Sequence, residues 1–268
     1  MTSVFPLMEF ARNVAGERGE VSLLLPPGAE VHTWQPRPSD IKRLSSSDLF
    51  ISIGSGLEPW LADILKSISN PKLRILEASQ GLDLIPGAQD QHIFDPHIWL
   101  DFKNCQIIVD KIREILTMID PSSAQVFMRN SAFCKEKLEK LDKKFSKGLE
   151  NCLHRTFILG GHAAFGYLAK RYNLRQISLY GLSPDSEPTP RSLIEVVELA
   201  KKYKIKVIYY EINVSSKLAK VVAKEIGAKT LVLNPGANLT KNQLMQGLSF
   251  FDIMEENLKN LKDGLVCN

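Results

Sequence analysis

Three of the five histidines in the chain, His32, His97 and His162, stand where an imidazole could serve a metal ion. His97 lies in Asp95-Pro96-His97-Ile98-Trp99-Leu100-Asp101. Asp95 reads as an N-cap and Pro96 as the first helical residue, which puts His97 in the first turn of a long helix ending near Ile119. The positive end of the helix dipole disfavours imidazolium and keeps the ring neutral, the form that binds a metal. His162 follows Thr156-Phe157-Ile158-Leu159-Gly160-Gly161 and repeats that setting at the start of a second helix. His32 sits in a turn-rich stretch beyond Val21–Leu25 and Pro26-Pro27-Gly28, past the carboxyl end of a strand, where open α/β sheets gather their ligands. Three imidazoles suit zinc, which takes four N, S or O ligands with nitrogen at about 2.0–2.1 Å. Spacing alone does not bring them together, and a solvated loop histidine accounts for each one taken singly. His92, in a polar loop, and His154, before a strand, read as surface residues.

The elements that must position these residues follow a β/α grammar. Phe5–Arg18 reads as a helix, Val21–Leu25 as a buried strand, and Leu49–Ile53 and Leu73–Leu76 as two more. Gly54-Ser55-Gly56 lacks a Walker Lys-Ser/Thr and a third glycine, so it reads as a tight turn into a helix over Leu57–Ser69. A helix restarts at Pro121 and runs without Gly or Pro to Lys147, with apolar residues largely on one face. About 25 residues make it on the order of 38 Å long, a stiff connector rather than a hinge. Beyond it come strands at Thr156–Leu159, Gln176–Leu179, Val207–Tyr210 and Thr230–Leu233. Helices fill the gaps, at Ala163–Tyr172, Arg191–Tyr203, Ser215–Ile226 and Thr240–Leu261. Glu211 and Asn234 follow two of these strands directly and fall near the same sheet edge. The expected organisation is therefore an α/β chain of two β/α lobes with mainly parallel sheets, residues 1–119 and 151–268, joined by a backbone helix over 120–150.

Composition excludes several classes. Of 268 residues 44% are hydrophobic and 24% charged, with a formal net charge of +4, which is ordinary globular composition. Basic residues are spread along the chain, so nucleic acid is not an expected partner. The densest run, Lys135–Lys147, carries the i,i+4 pairs Glu136/Lys140 and Glu139/Lys143 and reads as a solvated helix face. No apolar stretch approaches the roughly 20 residues of a membrane span, and no secretory signal opens the chain. Cys105, Cys134, Cys152 and Cys267 lack zinc-framework spacing. Cys134 and Cys152 would stand roughly 27 Å apart along an unbroken helix, and all four are expected to be buried free thiols.

Asp95–Asp101, the Gly161–Leu168 segment and Pro27-Gly28-Ala29-Glu30-Val31-His32-Thr33-Trp34-Gln35-Pro36 together resemble the zinc and manganese solute-binding proteins of bacterial ABC importers. Ser186-Glu187-Pro188-Thr189-Pro190 and Tyr210-Glu211 followed by Ser215 and Ser216 resemble the same family, and the matches run in order along nearly the whole chain. The resemblance implies two β/α lobes with one metal ion in the cleft between them, and His32, His97 and His162 as its first three ligands. It implies an extracytoplasmic or periplasmic monomer that delivers the ion to a membrane permease, its export signal already removed, and no enzymatic activity. A histidine rather than a carboxylate at 162 points to zinc over manganese. Asn234 stands where many relatives have Asp, so water, Asn234 or Glu211 completes the coordination shell. The strand that opens the first lobe looks cut short. A zinc hydrolase with Glu211 as general base is the competing class, and a manganese carrier of the same fold is the other alternative. If imidazoles are the ligands, affinity falls as pH drops below about 6.5.

Overall fold

The runs Leu49–Ser52, Thr156–Leu159 and Val207–Tyr210 carry no charge and are buried at nearly every position, as strands covered by helices on both faces are. The computed structural model describes residues 1–87, 93–184, 188–212 and 214–268. It separates into two units, Met1–Lys140 with Gly236–Phe250, and Leu141–Pro235 with Phe251–Asn268.

The first unit opens with helix α1, Phe5–Ala15, and continues through α2, Pro38–Ser45, to strand β1, Leu49–Ser52, buried at every position. Helix α3, Leu61–Ser67, leads to β2, Arg74–Glu77, paired in parallel with β1 from Leu49↔Arg74 to Ser52↔Glu77. Thr2 forms parallel bridges to both Leu23 and Ile51. The order across this sheet is thus Leu23, Thr2, β1, β2. The strand expected over Val21–Leu25 is reduced to the bridge at Leu23. Its neighbour offers only one residue to pair with, since by Val4 the chain is already the N-cap of α1. Leu24, Leu44, Phe50, Trp60 and Ile64 form one core cluster of this unit.

Helix α4, Phe102–Ile119, begins later than the expected start at Pro96. Its N-cap is Asp101, whose carboxylate accepts from Lys103 N at 2.8 Å. A 3-10 turn over Pro121–Ser123 leads into α5, Ala124–Gly148, the long helix expected there, which passes without a break from the first unit's residues to the second's.

The second unit contains β3, Thr156–Leu159; α6, Gly166–Arg171; β4, Arg175–Ser178; α7, Pro190–Lys202; β5, Val207–Tyr210; α8, Lys217–Ile226; and β6, Lys229–Val232. The four strands are parallel in the order β4-β3-β5-β6. Ile158, Leu179, Val196, Ile208 and Val222 are among the residues of its core. The chain then rejoins the first unit for 236–250, which carries α9, Lys241–Met245, before ending in α10, Phe250–Leu265. The single helix expected over Thr240–Leu261 is interrupted because Gly247 takes a left-handed φ of 66°, which ends the turn after α9.

Two of the four cysteines are not free. Cys152 and Cys267 form a disulfide across 115 residues, on a short antiparallel bridge just before β3 and just after α10. The expectation of four thiols rested on spacing along one helix, and Cys267 comes from another. Cys105 and Cys134 are buried and carry no disulfide.

Candidate metal centre

His32 and His97 meet within the first unit. Their Nε2 atoms lie 3.3 Å apart, with ring centroids at 5.3 Å. His97 is 1% exposed and packs edge-on to Trp99. Asp95 Oδ1 accepts both from the backbone N–H of His97, at 2.9 Å, and from its Nδ1, at 2.7 Å. A carboxylate only accepts, so Nδ1 carries the proton and the lone pair is left on Nε2, facing His32. An ion holding two imidazoles tetrahedrally at about 2.0–2.1 Å sets their nitrogens about 3.3–3.4 Å apart, which is the separation found.

No helix dipole sets the His97 geometry. His97 is not in the first turn of the long helix; it precedes a 3-10 turn over Ile98–Leu100, and α4 starts only at Phe102. Asp95, expected as N-cap, turns its carboxylate onto the histidine instead. The ring is therefore oriented by a hydrogen bond and not by a helix dipole.

His32 lies in an irregular loop held from several sides. Its N–H donates to Glu30 Oε1 at 3.2 Å. Asn238, 3% exposed, donates to the carbonyls of Pro26 at 2.7 Å and Ala29 at 2.9 Å, and Gly28 N donates to Leu239 O. A stretch some 210 residues away in sequence thus shapes the loop that presents His32.

The second unit repeats the device. His162 is 3% exposed, and Glu211 Oε1 accepts from its backbone N–H and from its Nδ1, both at 2.9 Å. Here again Nδ1 carries the proton, and the lone pair lies on Nε2. The strand order explains the meeting. β3 connects to β4 on one side, β5 to β6 on the other, and the carboxyl ends of β3 and β5 flank the crevice where the order reverses. His162 comes three residues after β3, and Glu211 follows β5 directly. His162 is not at a helix start as expected: Gly160–Phe165 is a loop, and α6 begins at Gly166.

Asn234 follows β6 and is buried; Asn257 holds its backbone on both sides, accepting from Asn234 N at 2.8 Å and donating to Asn234 O at 2.7 Å. His154 hands its backbone N–H to Leu265 O, away from these groups, and His92 lies outside the described residues, as do Ser186 and Glu187. Sequence reasoning passed over the roles of Asp95 and Asn238. For Asp95 a signal existed in the Asp-x-His spacing, since an Asx side chain bonds backbone two residues on. For Asn238 there was none.

The family described as ZnuA, zinc-uptake complex component A periplasmic, matches residues 1–264. The zinc-binding protein AdcA of Streptococcus pyogenes serotype M18 is 36% identical over 283 residues, a match covering 98% of this chain and 55% of AdcA. The chain thus spans about half the length of that relative. The high-affinity zinc uptake system protein ZnuA of Bacillus subtilis is 37% identical over 278 residues, covering 99% of this chain and 87% of the relative. The crystal structure of the Zn(II)-bound ZnuA-like domain of Streptococcus pneumoniae AdcA superimposes with a TM-score of 0.86 at 37% identity, covering 98% of this chain and 97% of that one. An α/β fold with parallel sheets, histidines backed by carboxylates and a family match along nearly the whole length lead to one statement: the chain belongs to the ZnuA family of zinc-uptake components.

Proposed function

We propose that this chain captures one zinc ion with Nε2 of His32, His97 and His162 and delivers it to the membrane permease of an ABC importer. The observation that carries the reading is the 3.3 Å separation of the His32 and His97 Nε2 atoms, with the lone pair of His97 committed by Asp95. Each of the three histidines offers one ring nitrogen, and His162 has the same carboxylate backing as His97. Three imidazoles favour zinc over manganese, which prefers oxygen ligands. Asn234 or a water molecule completes the shell.

The protein works as a monomer outside the cytoplasmic membrane. Support comes from the Cys152–Cys267 disulfide, a bond that persists in oxidising compartments, and from the periplasmic description of the family. Among the described residues no helix is long and apolar enough to cross a membrane, so the transport step belongs to a partner. A carrier is favoured over a hydrolase by the use made of Glu211. A general base needs a carboxylate free to take a proton from a metal-bound water, and Glu211 Oε1 already accepts two hydrogen bonds from His162.

Metal analysis after dialysis tests the reading. The wild type is expected to retain about one zinc per chain, and His97→Ala to lose it. Retention by the variant at unchanged affinity would remove His97 from the ligand set.

A further inference from the structure

Glu211 is 3% exposed and uses one oxygen for two bonds, to the N–H and to Nδ1 of His162. The space beside it is available only because residue 161 has no side chain. A Cβ on Gly161 would overlap Glu211 Oε1 and lie 2.9 Å from its Cδ and 3.2 Å from its Cγ; its three nearest neighbours are all atoms of this one carboxylate side chain. Gly161 is not among the glycines with positive φ, so its backbone accepts an L side chain without strain. Gly160 next to it differs: a Cβ there runs into the Cα and Cβ of Ala219, which is helix packing. The three atoms that a methyl group at 161 would meet first therefore all belong to the carboxylate side chain that orients His162.

We infer that Gly161 and Glu211 form a positioning pair that holds His162 in the tautomer with Nδ1 protonated and Nε2 open to the ion, so that Glu211 acts through His162 rather than as a ligand. The inference rests on the zinc reading above for its purpose, but not for its geometry. The arrangement at Asp95 and His97 is the same device reached by a different route. There the carboxylate comes from two residues upstream; in the second unit it comes from a neighbouring strand 49 residues away, and a glycine must make room for it.

Nitrogen NMR of the zinc-free protein at about pH 8, where free imidazole is neutral, reads the tautomer directly. The wild type is expected to show His162 with Nδ1 protonated alone. Gly161→Ala and Glu211→Ala are expected to add the Nε2-protonated form, and zinc affinity measured against a competing chelator is expected to fall about 10–100-fold. Glu211→Gln keeps an oxygen that accepts both bonds, so tautomer and affinity should stay within a few-fold of wild type. The melting temperature of zinc-free Gly161→Ala should stay near that of the wild type, because only a side-chain end is displaced. An unchanged tautomer and affinity in Gly161→Ala would overturn the pair. Loss of affinity in Glu211→Gln equal to that in Glu211→Ala would instead make the charged carboxylate a ligand. If the wild type binds no zinc, the zinc reading fails, while the tautomer in Gly161→Ala still decides the positioning.

Discussion

Asp95, Glu211 and Glu58 are all buried carboxylates, and each is held by two N–H donors. Asp95 and Glu211 each take a backbone N–H and a ring N–H from one histidine. Glu58, 6% exposed, closes the turn after β1 by accepting from Ile53 N at 2.8 Å and Gly54 N at 2.9 Å. Burial pushes the Glu58 carboxyl above its ordinary value of 4.5, with the nearby Glu77 adding to the rise and the two backbone N–H groups opposing it. A carboxyl whose folded pKa is raised binds its proton more tightly folded than unfolded. Its contribution to stability is full below the ordinary value and is lost as pH rises through the folded one. Denaturant titrations of wild type and Glu58→Gln should therefore diverge with pH. The wild type loses stability relative to the variant as pH climbs from about 4.5, and parallel profiles would show that Glu58 ionises without cost.

At the scale of elements, helix starts proved harder to read than helix bodies. Asp95-Pro96 satisfies every local rule for a helix start, but Asp101 does so too, and only one of them caps α4. The Asp95 carboxylate instead accepts from the backbone N–H and Nδ1 of His97. Asp101→Ala should cost about 1 kcal/mol of folding stability, the usual value for a lost N-cap, measurable as a shift in denaturation midpoint. No change would place the cap elsewhere. β3 and β5 were legible because buried parallel strands are short uncharged runs, and they lie at Thr156–Leu159 and Val207–Tyr210, as expected from sequence. The opening stretch of the first unit was less legible. Thr2 and Leu23 occupy strand positions through single bridges, and no periodicity exists within one residue.

At the scale of the molecule, the two units share one plan. In each sheet the second stretch in sequence lies at one edge, the first beside it, then the third and the fourth. The disulfide belongs to the second unit alone and closes a 115-residue separation that spans nearly all of it. Chain-entropy reasoning assigns a loop of that length about 4–5 kcal/mol. The Cys152→Ala/Cys267→Ala double variant should unfold at clearly lower denaturant concentration than the wild type, and wild type treated with a thiol reductant should match it. Identical midpoints with and without reductant would mean that the bond adds nothing to the folded unit.

The family, the parallel α/β architecture, the long helix over Ala124–Gly148 and three histidines as candidate ligands could all be read from residue order, because hydrophobic periods and local motifs are properties of neighbouring positions. The pairing of Cys152 with Cys267, the grip of Asn238 on the His32 loop and the meeting of Glu211 with His162 could not. Each joins residues separated by tens to hundreds of positions, and only the sheet order and the return of residues 236–250 to the first unit bring them within hydrogen-bonding or bonding distance. The sequence thus determined which side chains could bind an ion. For His97 the neighbouring Asp95 decides which ring nitrogen keeps the proton, whereas for His162 that choice falls to Glu211, which tertiary structure brings from 49 residues away.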